Sequence, residues 1–544
     1  MRWKAHNVLL LAFTAFAAAI GHAVATDPAL PDAIRLEVEQ LRFSGRLSLG
    51  DVDIASGELL ADYYEQRNFA PAWSRPDQVA SLRAAIDESV IHGLNPQDYH
   101  HDKLDTAWEL LQGTPSTRER AVIDLALTDS LIRLGYHHHY GKINAHNLDP
   151  HWNFVRPLLD RPPGEVIQET IDSAEIGKTL ELLLPRVPMY HALQTALAEY
   201  RALAAQGGWQ AVLPGATLKP GAKDERIPQI RARLRVTGDY SDMGTSEAFY
   251  DAPLQQAVRH FQQRHGLEAD GIIGAATFAA MNVPVSRRIE QLRASLERAR
   301  WAVHSITDDY LIVNIASFTV RLVRGGQTVW ESKVQVGSEY HQSPVFRGNM
   351  KYVVLRPTWT VPYSIATKEM LPRIQREADY FQTRDFDIKN AKGELVDADH
   401  VPWQSLSRKN FGYTFVQRPG PNNALGQVKF IFPNEHAVYL HDTPSKALFD
   451  KAKRAFSHGC IRLDQPLDLA ELLLADKGWS RERIESNLET KTVFLSQPLP
   501  VLLMYWTAAV SPAGEVQFFN DIYGRDDAVI EALAAPFVME RPEA

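Results

Sequence analysis

A thiol with two histidines nearby is a set of groups suited to acyl transfer. Cys460 sits in the run Ser457-His458-Gly459-Cys460-Ile461-Arg462, and His441 lies upstream of it. A thiolate attacks carbonyl carbon well, and a neighbouring imidazole can take the thiol proton and lower its effective pKa from about 8.5. Cys460 is the only cysteine among 544 residues, so neither an intramolecular disulfide nor a cysteine-rich zinc site can form. The alternative is a buried, inert cysteine, since free Cys is among the most buried residue types. The Ser-His-Gly run ahead of it favours the nucleophile.

The elements that must position this thiol begin with an export signal at 1–25. Arg2 and Lys4 form a positive start, Val8 to Ile20 an apolar run, and Ala23-Val24-Ala25 a small-x-small cleavage site. The run is shorter than the roughly 20 residues a membrane span prefers. Cleavage is therefore expected, with a membrane tether the outcome if the signal is retained. A free thiol exported to an oxidising compartment is better explained by function than by packing. The net charge of −8 argues against a nucleic-acid partner.

Residues 30–213 read as mostly helical. Ala121 to Leu134 is apolar on nearly all sides around one Asp129-Ser130 interruption, the pattern of a buried helix. His137-His138-His139 invites a metal reading, but adjacent helical residues diverge and cannot all converge on one ion. Pro214-Gly215 to Lys219-Pro220-Gly221 is a linker. Beyond it, at 224–285, Ile227, Ile230 and Leu234 make one helical stripe and Leu254, Val258 and Phe261 a second, and Thr277 caps or opens a last helix. Phe261-Gln262, His265-Gly266-Leu267, Asp270-Gly271, Gly274, Thr277 and Asn282 resemble the type 1 peptidoglycan-binding domain, a small three-helix module, which implies contact with wall glycan or peptide. These residues can equally well be there to build the turn and the small core. A connecting helix at 286–304 carries Ile289, Leu292 and Leu296 on one face, and its arginines are expected on a solvated face.

From Asp309 the period changes to two. Strands are expected at Tyr310–Ile315, Phe318–Val323, Thr328–Trp330, Lys351–Leu355, Val428–Phe432, Ala437–Leu440 and Thr492–Leu495, with Arg324-Gly325-Gly326-Gln327 a hairpin turn. The region 306–525 is thus β-rich. A charged, mixed insertion at about 365–416 is a candidate lid.

His441-Asp442-Thr443, fifteen residues after His441, and then Ser457-His458-Gly459-Cys460 resemble the active-site signature of the L,D-transpeptidase catalytic domain. Trp359-Thr360-Val361-Pro362, Asn423-Ala424-Leu425-Gly426, Phe432-Pro433-Asn434, Val438-Tyr439-Leu440-His441, Tyr505-Trp506-Thr507 and Asp521-Ile522-Tyr523-Gly524 extend the likeness to the larger envelope members of that family. The resemblance implies a multidomain α+β chain: a helical scaffold, a peptidoglycan-binding module and a β-rich catalytic domain with an inserted lid. It also implies that Cys460 is the nucleophile and His441 its general base. The base must come within about 3–4 Å of the sulfur. Many small family members have Gly where Asp442 stands, and the resemblance implies that the orienting group is this residue's backbone carbonyl. A carboxylate tuning the imidazole is the alternative.

His458, two residues before Cys460, is assigned a supporting place in the oxyanion loop. Gly459 allows close backbone approach, and the amides of Gly459 and Cys460 are candidate oxyanion donors. Arg462, Tyr439, Trp359 and Ser457 are candidate substrate contacts. Arg462 would grip a carboxylate or else fix the loop, and Tyr439 and Trp359 are pocket walls or core.

The resemblance implies attack on the third residue of a tetrapeptide stem, loss of D-Ala, and capture of the thioester by a diaminopimelate amine as a 3→3 cross-link. Periplasmic location, acylation by carbapenems and no metal or organic cofactor are expected with it. One rival is an L,D-carboxypeptidase, in which water resolves the thioester. Another is a non-catalytic wall-binding scaffold protein. A papain-like protease is excluded by the order of His and Cys.

Overall fold

The computed structural model describes residues 27–44, 53–149, 152–154, 161–241, 247–303, 306–377, 379–381, 384–537 and 539; the export signal expected at 1–25 lies outside them. The chain forms two compact bodies, Met1–Asp87 with Pro96–Leu134 and Leu159–Glu181, and the remainder through Ala544. Among the described residues no helix is long and apolar enough to cross a membrane.

The first body is helical. In the helix Thr117–Tyr140 the segment from Ala121 to Leu134 is buried throughout. Its acidic interruptions survive burial because their oxygens are satisfied. Asp129 accepts from Ser56 N–H at 3.0 Å and contacts His100 at 2.8 Å and Arg133 at 2.6 Å. Asp124 accepts from the amides of Ala72 and Trp73 at 2.9 and 3.1 Å.

The second body holds the three-helix module and the β domain. In the module, Ile227–Val236, Ala252–Arg264 and Ala275–Met281 pack through Ile227, Ile230, Leu234, Leu254, Val258 and Phe261, all fully buried. Gln262 shapes its turn: the side-chain amide donates to Asp270 and Ile272 O at 3.0 and 2.9 Å, and the carbonyl accepts from Gly271 N–H at 2.8 Å. Thr277 is not the cap. Gly274 holds that position, and Thr277 is buried inside the helix beside Gln262.

The helix Val285–Ala302 overturns the expected solvated face. Arg288, Arg298 and Arg300 are buried, and the last two meet buried carboxylates, Asp526 at 2.6 Å and Glu297 at 2.5 Å. Pairing is what allows guanidinium groups to leave water. Counting arginines could not reveal a partner some 230 residues away.

The β domain is built on strands β1 Tyr310–Asn314, β2 Thr319–Arg324, β3 Gln327–Gly337, β4 Phe346–Leu355, β5 Trp359–Thr360, β6 Phe386–Lys389, β7 Leu395–Val396, β8 Thr414–Gln417, β9 Val428–Ile431, β10 Leu440–His441, β11 Ala455–Ser457, β12 Ile461–Leu463, β13 Lys491–Met504, β14 Ala508–Val510 and β15 Val516–Phe518. Nine of them form one sheet in the order β11-β3-β12-β10-β9-β4-β13-β1-β2, and β2 also pairs with β3, which closes the sheet on itself. Gly325 and Gly326 take φ of 54° and 74° in the β2–β3 hairpin, the left-handed pair a two-residue turn needs.

Ala437, expected to begin a strand, instead sits in a turn with φ 52°, and the strand is confined to Leu440–His441. Asn434 holds that turn, accepting from Val438 N–H at 3.1 Å and donating to its carbonyl at 2.7 Å. The insertion expected to be a lid is a second sheet, β5-β8-β6-β7, with its own apolar core that includes Val361, Met370, Ile374, Ile388 and Phe415. This sheet starts at Trp359 and ends at Gln417, wider than the charged segment alone. Asn423 clasps the flanking chains by donating to the carbonyls of Pro357 and Arg418 at 3.2 and 2.9 Å.

Candidate active site

The parallel β10–β12 pair sets Leu440 opposite Ile461 and His441 opposite Arg462. Leu440 and Ile461 are fully buried in the apolar core. Strand alternation therefore turns Tyr439 and His441, and with them Cys460 and Arg462, to the other face. The register continues sideways: His441 is opposite Lys429 on β9, and Arg462 is opposite Gln335 on β3. One row across four strands thus reads Lys429, His441, Arg462, Gln335, with Tyr439 and Cys460 beside it.

His441 is buried, and its Nδ1 donates to the carbonyl of Asp442 at 2.5 Å. A carbonyl can only accept, so the proton resides on Nδ1 and Nε2 is left as the basic nitrogen. Burial, together with Arg462 and Lys429, holds the His441 pKa down to about 3, opposed by the Asp442 carbonyl. Burial pushes the Cys460 thiol up, against Tyr439, Lys429 and Arg462, which favour the thiolate. Both shifts favour a neutral thiol beside a neutral imidazole at rest, an arrangement in which the imidazole can accept the thiol proton. Cys460 Sγ lies 3.9 Å from the Ala437 carbonyl, at the turn with the strained φ.

The Asp442 carboxylate does not touch the imidazole. It accepts from Thr443 and Gln427 amides at 2.7 and 2.8 Å and pairs with Lys446 at 2.9 Å. Gly426, with φ 59°, packs so tightly on it that a Cβ there would come within 2.3 Å.

Several expected roles move. Ser457 is buried, and its hydroxyl donates to Cys460 O at 2.5 Å while accepting from Gly459 N–H at 3.1 Å. It is therefore a brace of the loop and not a substrate contact. The same bond occupies the Gly459 amide, so that amide is not a free oxyanion donor, whereas the Cys460 amide has no acceptor among the described residues. His458 turns toward the insertion. Its Nε2 meets the lid's Glu369 at 2.7 Å, and its ring lies on His341 at 4.6 Å. Trp359 belongs to the inserted sheet, opposite Gln417, where it packs partly buried against that sheet's core with its ring near Phe386 at 6.4 Å. Arg462 donates to Gln335 at 3.3 Å. Tyr439 lies against His441, ring centroids 5.5 Å apart. Among the described residues no cluster of three His, Cys, Asp or Glu is placed to hold a metal ion.

The structure also brings in residues that the motif does not announce. Ser343, fully buried, donates to Gly459 O at 2.7 Å and accepts from Gly337 N–H at 2.9 Å. Tyr523 donates to Gly337 O at 2.6 Å and accepts from Ser343 N–H at 3.1 Å. Gly337 must be glycine, because a Cβ would meet the His341 carbonyl at 2.0 Å. No spacing rule links positions this far apart; only the Asp521–Gly524 likeness pointed to Tyr523.

Three family models match the chain in turn. Residues 308–492 match the L,D-transpeptidase catalytic domain, and residues 58–197 a scaffold domain. The chain carries an L,D-transpeptidase catalytic domain. A third match, over residues 223–281, is described as "Putative peptidoglycan binding domain". The chain is 34% identical over 220 residues, 40% of its own length and 44% of the relative, to a Haemophilus influenzae protein named "Putative L,D-transpeptidase". A Mycobacterium tuberculosis N-acetylmuramoyl-L-alanine amidase is 39% identical over 75 residues, 12% of this chain and 18% of its own. The match thus spans under half the length of either curated relative. Solved L,D-transpeptidases from Xylanimonas cellulosilytica (15% identity, 54% of this chain and 100% of that one, TM-score 0.18) and Stackebrandtia nassauensis (13%, 54% and 97%, TM-score 0.21) are also similar.

Proposed function

We propose that the protein is a periplasmic L,D-transpeptidase that forms 3→3 cross-links in peptidoglycan through a Cys460 thioester. The observation that carries this reading is the His441 imidazole, fixed by the Asp442 carbonyl with Nε2 unprotonated, on the face it shares with Cys460. His441 takes the thiol proton as sulfur attacks the carbonyl of the third stem residue. The oxyanion forms beside the Cys460 amide. Collapse breaks the C–N bond, and His441 returns the proton to the departing D-Ala amine. The neutral amine of a diaminopimelate then attacks the thioester, His441 takes the amine proton, and the thiolate leaves. The thioester conserves the energy of the broken amide, so the residues on hand suffice.

The lid favours transfer over hydrolysis. Its Glu369 meets His458, two residues from the nucleophile, and a covered site disfavours water as the acceptor. Tyr439 and Arg462 line the substrate side, and carbapenems are expected to acylate Cys460. The three-helix module would hold the enzyme to the wall. Incubation with disaccharide tetrapeptide and mass spectrometry of the products tests the reading. Cross-linked dimers support it, tripeptide with free D-Ala indicates the carboxypeptidase, and no product indicates a scaffold. Full cross-linking by Cys460→Ala would sink the mechanism.

A further inference from the structure

Two cations flank the catalytic histidine without an acidic partner. Lys429 and Arg462 are the cross-strand neighbours of His441 on either side. Both are half-buried. Among the described residues neither pairs with a carboxylate: the Lys429 ammonium lies 3.8 Å from the Tyr439 ring, Arg462 donates to the neutral Gln335, and both otherwise act on the Cys460 sulfur, which is neutral as a thiol. The Arg462 Nε is buried with no acceptor. Two carboxylates of the neighbouring chain are committed elsewhere, Asp442 to Lys446 and Glu369 to His458. Half-buried cations without a counter-charge are costly, and the cost is relieved when an anion arrives.

We propose that Lys429, with Arg462, forms a carboxylate-binding subsite that takes the C-terminal carboxylate of the donor residue whose amine departs. In such a donor the carboxylate lies three bonds from the scissile carbon, so a charge held beside His441 places that carbon next to Cys460. Burial depresses His441 most, and Arg462 and then Lys429 add to it. A carboxylate docked between the two cations cancels that field and makes His441 a stronger base only when a donor is bound. Lys429 is thus a positioning residue that selects donors ending in a free carboxylate. This deepens the transpeptidase reading and rests on it for the identity of the donor.

The test needs no turnover. Cys460 is alkylated in the intact protein with iodoacetate, which carries a carboxylate, or with neutral iodoacetamide, and mass spectrometry gives the two rates. Both reagents need the thiolate, so the ratio of rates cancels any change in thiolate population. The wild-type iodoacetate-to-iodoacetamide ratio is expected to exceed that of N-acetylcysteine by about tenfold, the scale of one partly screened charge contact. Lys429→Gln should lose most of this excess and Lys429→Arg should restore it. A wild-type ratio equal to that of N-acetylcysteine overturns the subsite without any variant. Equal slowing of both reagents in a folded Lys429→Gln overturns it as well, because Lys429 then acts on the thiolate alone. Either result leaves the cross-linking assay to decide the transpeptidase reading separately.

Discussion

Removing one hydroxyl, Ser343→Ala, should damage the catalytic loop from a distance. The Ser343 Oγ joins Gly459 O at 2.7 Å and Gly337 N–H at 2.9 Å in a site with no exposed surface. Alanine leaves both backbone groups unpaired and out of reach of water. Each buried orphan costs about 1–3 kcal/mol, so the loss of stability from the two should be about 2–6 kcal/mol. Tyr523 continues to hold Gly337 O and Ser343 N–H, so the fold should survive. The Cys460 loop, however, loses its tie to the β3 end. A displacement of about 1 Å in a reacting group can cost roughly 100-fold, so carbapenem or donor acylation of Cys460 should slow by about 10- to 100-fold. Thermal denaturation and time-resolved intact-mass spectrometry measure the two effects. A variant with unchanged midpoint and an acylation rate within twofold of wild type would refute the argument that this hydroxyl positions the nucleophile.

Three other outcomes are expected. Asp442→Asn should lower stability by about 1–3 kcal/mol, because an amide cannot serve both backbone donors and Lys446, yet acylation should stay within about tenfold, since the carbonyl that orients His441 is unchanged; a collapse in rate with a normal melting midpoint would move the orienting role to the side chain. Stability should fall in acid: burial first, then neighbouring cationic groups, hold His441 to about 3, His92 to about 2 and His265 well below its usual value, whereas the unfolded imidazoles titrate near about 6.5. The unfolded chain then binds more protons, so stability is complete above about pH 6.5 and is lost on descent toward 3, by about 1.4 kcal/mol per pH unit per histidine; a flat melting midpoint from pH 7 to 5 would contradict this. Glu369→Gln should leave the melting midpoint within a degree, the pair being half-exposed, but raise the share of hydrolysed over cross-linked product if the contact helps hold the lid down; an unchanged product ratio removes that role.

The chemistry was legible where it is local. Cys460, His441 and the loop glycine lie within twenty residues, and β alternation alone puts His441 and Arg462 on defined faces. What stayed hidden is set by sheet order. Lys429 looks like any lysine in a strand until β9 is found beside β10. Ser343 is one serine among many until the end of β3 meets the Gly459 loop. Ser457 and His458 were misplaced because motif proximity says nothing about direction: one turned inward to brace backbone, the other outward to the lid. The arginines of Val285–Ala302 show the same limit, since their burial depends on carboxylates supplied by tertiary contact, as Arg298 finds in Asp526.

The lid's private apolar core has an evolutionary consequence. Phe415, Met370, Ile374 and their neighbours form a cluster separate from the one that fills the barrel, and the insertion leaves and re-enters between β4 and β9, which are themselves paired. A lineage could therefore enlarge, trade or delete this module by editing one connection, without emptying the barrel or breaking its ladder. On the transpeptidase reading proposed above, acceptor preference could then drift with this module while Cys460 and His441 stay fixed.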